Sequence, residues 1–522
     1  MTETSLPPVI QQMLKPDFYP HPVQEPIHLE QTHVSYVLLT GEYAYKLKKP
    51  VNFGFLDFST LELRRHFCQE ELRMNQRGAP DLYLEVVAIS QDGDRFDLGE
   101  GEGEVVEYAV KMRQFPQEAL FSGMFEKNEL TEELMQRLGQ VVAEFHAKAA
   151  TNDYIRSFGQ VSQIREAFDQ NYEQSQKYIG GPQTQQWFDQ TQDYSDRFFA
   201  ERQDLFASRI QNHRIRECHG DLHARNISLW QDKIVLFDCI EFNEPFRFVD
   251  VMYDVAFAVM DLEARGRQDL GNAFLNTYIE QTGDWEGLQL LPLYLSRQAY
   301  VRAKVTSFLL DDPAVPEPQK AKASQTASEY YKLAWEYTQQ KQGQVILMSG
   351  VSGSGKSTVA RKLARKLGAI HLRSDAVRKH LAGIPLTQRG GDDLYTPEMS
   401  QKTYNRLLEL GLLLASQGFN TILDAKYDRV AYREKAIARA KEQGLSLRIL
   451  NCIAPVEVLR ERLEQRTGDI ADATADLLES QLAALEPYTA EERHYVTSLD
   501  TSQDLDEQVQ EVHHQLSAQL LH

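Results

Sequence analysis

Apolar and polar positions divide the chain into two stretches with different arrangements of expected strands and helices. Between residues 33 and 114 the chain holds short β-rich runs that read as strands. Residues 33–39 and 43–48 read as a hairpin around Thr40-Gly41-Glu42, with Pro50 ending its second strand. Residues 83–90 and 105–114 read as further strands flanking an Asp92-Gly93 turn and a Gly/Glu-rich loop, while 61–77 has helical spacing up to Gly78-Ala79-Pro80. The expectation is a small sheet carrying one helix. From Thr131 helices dominate, 134–150 the clearest, interrupted by a strand-like run at 233–242. Pro313, Pro316 and Pro318 mark 311–319 as a linker, followed by a helix over 320–340. Beyond it five short apolar runs, 345–349, 369–373, 420–424, 446–452 and 495–499, alternate with helical patterns. Such alternation predicts a parallel sheet covered on both faces. The organisation expected is an α+β domain over 1–318, a linker helix over 319–342 and an α/β domain over 343–522.

Composition narrows this picture. At 522 residues the chain has room for two sizeable cores. A net charge of −20 argues against broad attraction to nucleic acid or anionic membrane; it also suits a cationic substrate, with plain solubility the favoured meaning. Cys68, Cys218, Cys239 and Cys452 are far apart and form no CxxC pair, which fits a reducing cytosol and gives no metal signal. The first ten residues hold acids and prolines where a signal peptide needs basic and then apolar residues. No apolar run reaches the ~18 residues of a membrane span, so a cytoplasmic location is expected.

The first motif that carries chemistry is His219-Gly220-Asp221-Leu222-His223-Ala224-Arg225-Asn226, followed by Asp238 near the end of an apolar run. Transfer of a phosphoryl group to a hydroxyl needs a carboxylate to accept or orient the attacking proton, here Asp221. It also needs hard-oxygen ligands for Mg²⁺ on the ATP phosphates, which Asn226 and Asp238 can supply. His219 reads as a brace for the loop. Asp250 and Asp254, four apart on an expected helix, would share a face and either brace this loop or contact substrate, bracing being favoured.

His-Gly-Asp-Leu-His-x-x-Asn resembles the catalytic loop of the aminoglycoside phosphotransferase and choline kinase-like branch of the kinase superfamily. The resemblance covers roughly residues 30–310 and includes the helix segment Leu138-Gly139-Gln140-Val141-Val142-Ala143-Glu144-Phe145-His146. It implies a bilobal, protein kinase-like α+β fold that transfers the ATP γ-phosphate to a small molecule. Phe237-Asp238-Cys239-Ile240-Glu241 stands where protein kinases have Asp-Phe-Gly, and no glycine-rich GxGxxG precedes the lysine strand. A kinase of this type needs a strand lysine paired with a helical glutamate to hold the phosphates. Lys46 and Lys48 share one strand face and spacing does not choose between them; Lys46 is favoured by its apolar neighbours. The partner lies in Glu70-Glu71, with Glu71 favoured.

The second motif is Gly350-Val351-Ser352-Gly353-Ser354-Gly355-Lys356-Ser357, between a strand at 345–349 and a helix at 358–367. Glycines allow the tight turn that converges backbone N–H groups on phosphate; Lys356 then bridges the β- and γ-phosphates and Ser357 ligates Mg²⁺. Gly350, Gly353, Ser354, Gly355 and Thr358 complete the nucleotide set. The next strand ends in Arg373-Ser374-Asp375-Ala376-Val377-Arg378, which places a general base, Asp375, and an anion-binding Arg378 at the sheet edge where substrate sits. This stretch resembles the P-loop kinase group of polynucleotide kinase, gluconate kinase and zeta toxin, over roughly residues 343–502. In that resemblance Asp424 is a Mg²⁺-side or substrate ligand, and Asp472 lies in a segment like the group's Ser-Asp-Ala. Lys426 departs from the group's commoner small residue. Arg462 and Arg466, one helical turn apart, could face the nucleotide from a closing lid.

The reading is a bifunctional, ATP- and Mg²⁺-dependent phosphotransferase acting on small molecules, built from a kinase-like domain and a P-loop NTPase domain. Two alternatives remain. The first half could be a ligand sensor that regulates the second, or the second half a 5′-hydroxyl nucleic-acid kinase, which the acidic balance does not favour.

Overall fold

The computed structural model describes residues 6–99, 101, 103–465 and 477–519. Two compact units emerge. The first comprises residues 1–130, 144–170 and 197–261, and the second residues 131–143, 171–196 and 262–522.

The first unit is built on a six-stranded antiparallel sheet. Its strands are β1 (His28–Gln31), β2 (Ser35–Leu39), β3 (Tyr43–Lys48), β4 (Tyr83–Asp92), β5 (Arg95–Leu98) and β6 (Glu104–Arg113), in the order β1-β2-β3-β6-β4-β5. The sheet is larger than the four strands read from the sequence. β1 and β5 are four-residue edge strands too short to show a period. On β3, Tyr45 and Leu47 are sealed into one core with Ile10, Met13, Leu38 and Ile89. The strand's alternation sends Lys46 and Lys48 to the opposite face. The helix Leu61–Asn75, capped at its start by the Thr60 side chain, lies on that face.

Four further strands follow in this unit. β7 (Ile215–Glu217) pairs antiparallel with β10 (Phe248–Asp250), and β8 (Ile227–Trp230) with β9 (Lys233–Leu236). β9 stops at Leu236 rather than running to 242, because Asp238 adopts a left-handed conformation with φ of 61° that no strand accommodates. Asp250 likewise closes β10 instead of sharing a helix with Asp254. Its carboxylate accepts from Met252 N at the start of the helix Val251–Ala264.

The second unit contains a five-stranded, all-parallel sheet: β11 (Gln344–Ser349), β12 (Ile370–Arg373), β13 (Thr421–Asp424), β14 (Ser446–Ile453) and β15 (Val496–Asp500), in the order β12-β13-β11-β14-β15. Every residue of β11 is buried, as a central parallel strand requires. Ile346 and Met348 pack with Val359, Ala360 and Leu363 of the helix Lys356–Leu367 and with Val509 and Val512 of the helix Leu505–Gln519. The helix Glu317–Tyr337, expected as a linker, lies against the helix Leu291–Ser307, with Ser296 Oγ donating to Ala334 O at 2.8 Å and Tyr300 edge-on to Tyr331.

β12 is one of the two edge strands, and its unpaired side is covered within the same unit by the helix Gln268–Thr282. Asn272 and Asn276, one turn apart, both donate to Ala369 O at 3.0 Å, and His371 N donates to Asn276 Oδ1 at 2.7 Å. Side-chain amides thus complete the ladder of a strand that would otherwise expose its edge.

Candidate active sites

In the first unit the loop between β7 and β8 carries Asp221 and Asn226. Gly220 has φ of 85°, and a Cβ there would stand 2.7 Å from Phe246 O, so the His-Gly-Asp turn needs glycine. Asp254 holds this turn from beneath: its two oxygens accept from His219 N at 2.7 Å and Gly220 N at 2.8 Å, and from His146 Nε2 at 3.2 Å. These donors keep the carboxyl below its ordinary pKa although burial pulls the other way. His219 fixes the other side, with its ring bonded to Phe237 O at 2.9 Å.

Asp221 is partly exposed, and Asn226 Nδ2 donates to both its backbone and side-chain oxygens at 3.0 Å. That leaves the Asn226 amide oxygen as its ligating atom. Asp238 follows β9, tied down by Phe237 N to Asn226 O, Ile240 N to His219 O and Cys239 N to Asn75 Oδ1. Carboxylate and amide oxygens on neighbouring segments suit Mg²⁺.

Both strand lysines meet the same glutamate. Lys46 Nζ lies 2.7 Å from Glu71 Oε1 and 2.7 Å from Asp238 Oδ1; Lys48 Nζ lies 2.7 Å from Glu71 Oε2 and also contacts Glu241 Oε1. Glu71 is fully buried, and the two ammonium groups hold it ionised below its ordinary pKa against the burial that raises it. Glu70 faces the other way, toward Arg73 and Arg247. The sequence reading gave Glu241 no role. Its only signal there is an acid set between Ile240 and Phe242, three positions after Asp238.

In the second unit the loop 350–355 leaves the C-terminal end of β11. Gly350, Gly353 and Gly355 have φ of 131°, 81° and 82°. A Cβ at Gly350 would come within 2.4 Å of Cys452 O. Ser354 Oγ is buried and, among the described residues, has no hydrogen-bond partner. Lys356 folds back on Val351 O at 2.8 Å, with Ser357 and Thr358 beside it in the first helical turn. A positive-φ loop ending at a helix N-terminus with a lysine over it fits a nucleotide phosphate chain.

Register puts Asp424 of β13 beside Met348 of β11 and Arg373 of β12, at the C-terminal edge of the sheet. Asp424 is buried, bonded to His371 Nε2 at 3.0 Å; His371, Arg373 and Lys356 drive its pKa far below normal although burial opposes them. His371 is another residue the sequence reading passed over. Asp375 sits half-buried in the first turn of the helix Ser374–Ala382. Burial lowers the pKa of Lys356, while Asp424 and Asp375 pull it up, which places both carboxylates in the lysine's field.

Two arginines are placed differently from expectation. Arg378 is buried, donates to Leu394 O at 2.8 Å and lies over the Tyr395 ring, so it holds the segment after its helix. Arg462, on the helix Val456–Glu464, clasps the loop from outside instead of facing it from a lid. Its guanidinium donates to Thr501 Oγ1 at 2.9 Å and Thr501 O at 2.7 Å, and Thr501 Oγ1 donates to Ser354 O. Arg466 and Asp472 lie outside the described residues.

Comparison with known proteins follows this division. The pattern described as "Phosphotransferase enzyme family" matches residues 93–291, and that described as "AAA domain" matches residues 345–488. The uncharacterized protein Rv2004c of Mycobacterium tuberculosis is 31% identical over 463 residues, covering 88% of this chain and 90% of its own length. A probable gluconokinase of Dictyostelium discoideum is 30% identical over 190 residues, 35% of this chain and 90% of its own. A gluconokinase structure from Sinorhizobium meliloti is 26% identical, covering 35% of this chain and 95% of its own, with a TM-score of 0.26. Among the described residues no helix is long and apolar enough to cross a membrane.

Proposed function

The chain belongs to the family of the mycobacterial protein Rv2004c and is a kinase that joins a phosphotransferase-family domain to a P-loop kinase domain, and from that footing we propose that both domains turn over ATP. The observation that carries this reading is duplication of the equipment. Each unit gathers a lysine, carboxylates and hard-oxygen donors: Lys46 with Asp238, Asn226 and Asp221 in the first, Lys356 with Ser357, Asp424 and Asp375 in the second.

In the first domain Lys46 would hold the α- and β-phosphates, Asn226 and Asp238 would ligate Mg²⁺, and Asp221 would take the proton of an acceptor hydroxyl. In the second, the 350–355 loop and Lys356 would hold the triphosphate, with Ser357 and Asp424 on the metal side. Asp375 would orient the acceptor hydroxyl, and Arg378 would shape the acceptor end through the 394–400 segment it binds. Bound Mg²⁺ supplies charge neutralisation of the phosphates; the protein's part is positioning. A polyol or sugar acid such as gluconate is the acceptor class for the second domain, supported by the relatives' printed names and by the buried Arg373 beside Asp375 and Asp424.

The test is phosphoryl transfer from ATP by the full chain to D-gluconate and to a panel of small alcohols. Lys356→Ala should abolish gluconate phosphorylation, and Asp221→Asn should abolish transfer to a different acceptor. If Asp221→Asn leaves every transfer intact, the first domain is regulatory.

A further inference from the structure

Five charged groups meet behind β3, three carboxylates and two ammonium groups, and their exposure is unequal. The Lys48 side chain is 1% exposed and Glu241 6%, whereas Lys46 is 17% and Asp238 45% exposed. Lys48 is closed in on every side. Glu71 Oε2 stands 2.7 Å away, Glu241 makes a second close contact, and the Phe58 ring centroid lies 4.7 Å from the ammonium. Removing that ammonium from water without these partners would cost several kcal/mol, so they hold it in place. Lys46 shares Glu71 but spends its remaining reach on Asp238, the more exposed carboxylate and the one placed to ligate metal.

We propose that the two lysines divide the work: Lys48 and Glu241 form a fixed latch that holds Glu71 and the 238–241 segment, while Lys46 passes from Asp238 to the nucleotide phosphates when a divalent cation takes Asp238. The proposal rests on the reading of the first domain as an ATP site. The charge balance supports the exchange. Without metal the cluster carries one negative charge in excess; a divalent cation on Asp238 turns this into one positive charge facing an anionic phosphate chain. Lys48 is a positioning residue, acting through Glu71 and Glu241, and the segment it pins is the one that aims Asp238. The latch also explains how a chain without a glycine-rich phosphate loop before β3 fixes its strand lysine: one glutamate is gripped from both sides.

The experiment is calorimetric binding of the non-hydrolysable analogue AMPPNP to the full chain carrying Lys356→Ala, which silences the second site, with Mg²⁺ and with EDTA. Lys46→Met should weaken binding about tenfold with Mg²⁺ but no more than about threefold in EDTA, because Asp238 then competes for the lysine in the parent. The double variant Lys48→Met/Glu241→Gln removes one charge of each sign, so it folds without an orphaned buried ion. It should lower AMPPNP affinity about tenfold in Mg²⁺ although Lys46 is intact. Thermal melting of each variant checks that it is folded. An equal Lys46→Met loss with and without metal would overturn the exchange. Unchanged affinity in the double variant would reduce the latch to a structural ion pair. A Mg²⁺-specific loss in the double variant but none in Lys46→Met would reverse the roles. No AMPPNP binding by the parent would remove the underlying reading itself.

Discussion

Glu71 shows how much of this protein rests on single side chains. It is fully buried and tolerated there because Lys46 and Lys48 approach its two oxygens. Its folded pKa lies below the ordinary 4.5, so the stability it contributes is present above that value and is lost as pH falls through the folded value. Glu71→Gln should cost about 3–5 kcal/mol at neutral pH, since it leaves two buried ammonium groups short of a partner. In melting curves the gap between wild type and variant should close steadily as the pH is lowered below about 5. A gap independent of pH would mean that the carboxylate is not held ionised. The sequence presented Lys46 and Lys48 as rivals and Glu70 and Glu71 likewise. Strand alternation put both lysines on one face, but whether one glutamate could serve both depends on the depth at which β3 and the helix Leu61–Asn75 pack, which spacing does not encode.

Among elements, β12 is the instructive case. As an edge strand it would expose backbone donors, yet it delivers Arg373 to the end of the sheet and leads straight into the helix that carries Asp375 and Arg378. The helix Gln268–Thr282 secures it through Asn272 and Asn276, and Glu280 of the same helix lies 3.7 Å from Arg373. Asn276→Ala should therefore destabilise the protein by about 1–3 kcal/mol, the cost of leaving the His371 amide unsatisfied. Urea unfolding gives the magnitude, and faster hydrogen exchange at the His371 amide gives the place; an unchanged His371 amide would exclude the bond as the cause. The five apolar runs of the second stretch were legible because a buried parallel strand is apolar throughout and bounded by helical pattern. β1, β5, β7 and β10 were not, being three or four residues long. The break after Leu236 was hidden too, since the left-handed Asp238 is imposed by hydrogen bonds to Asn75, Asn226 and His219 from elsewhere in the chain.

Over the whole molecule, the two motifs that stood out in the sequence fall in different units. The His-Gly-Asp motif was visible through Asp221, Asn226 and Asp238, and Asp254 was expected as a brace; the structure gives its bonds to His219 N and Gly220 N and adds His146 beside it. The P-loop was legible in full, yet the Arg462 and Thr501 clamp around it was not, because it joins residues 39 positions apart. Whether one chain holds two nucleotide sites, as we propose, is tested by equilibrium titration of the full chain with AMPPNP and Mg²⁺. Two equivalents should bind per chain, falling to one in Lys356→Ala and to one in Asp238→Ala. A single equivalent in the wild type, lost entirely in Lys356→Ala, would contradict it.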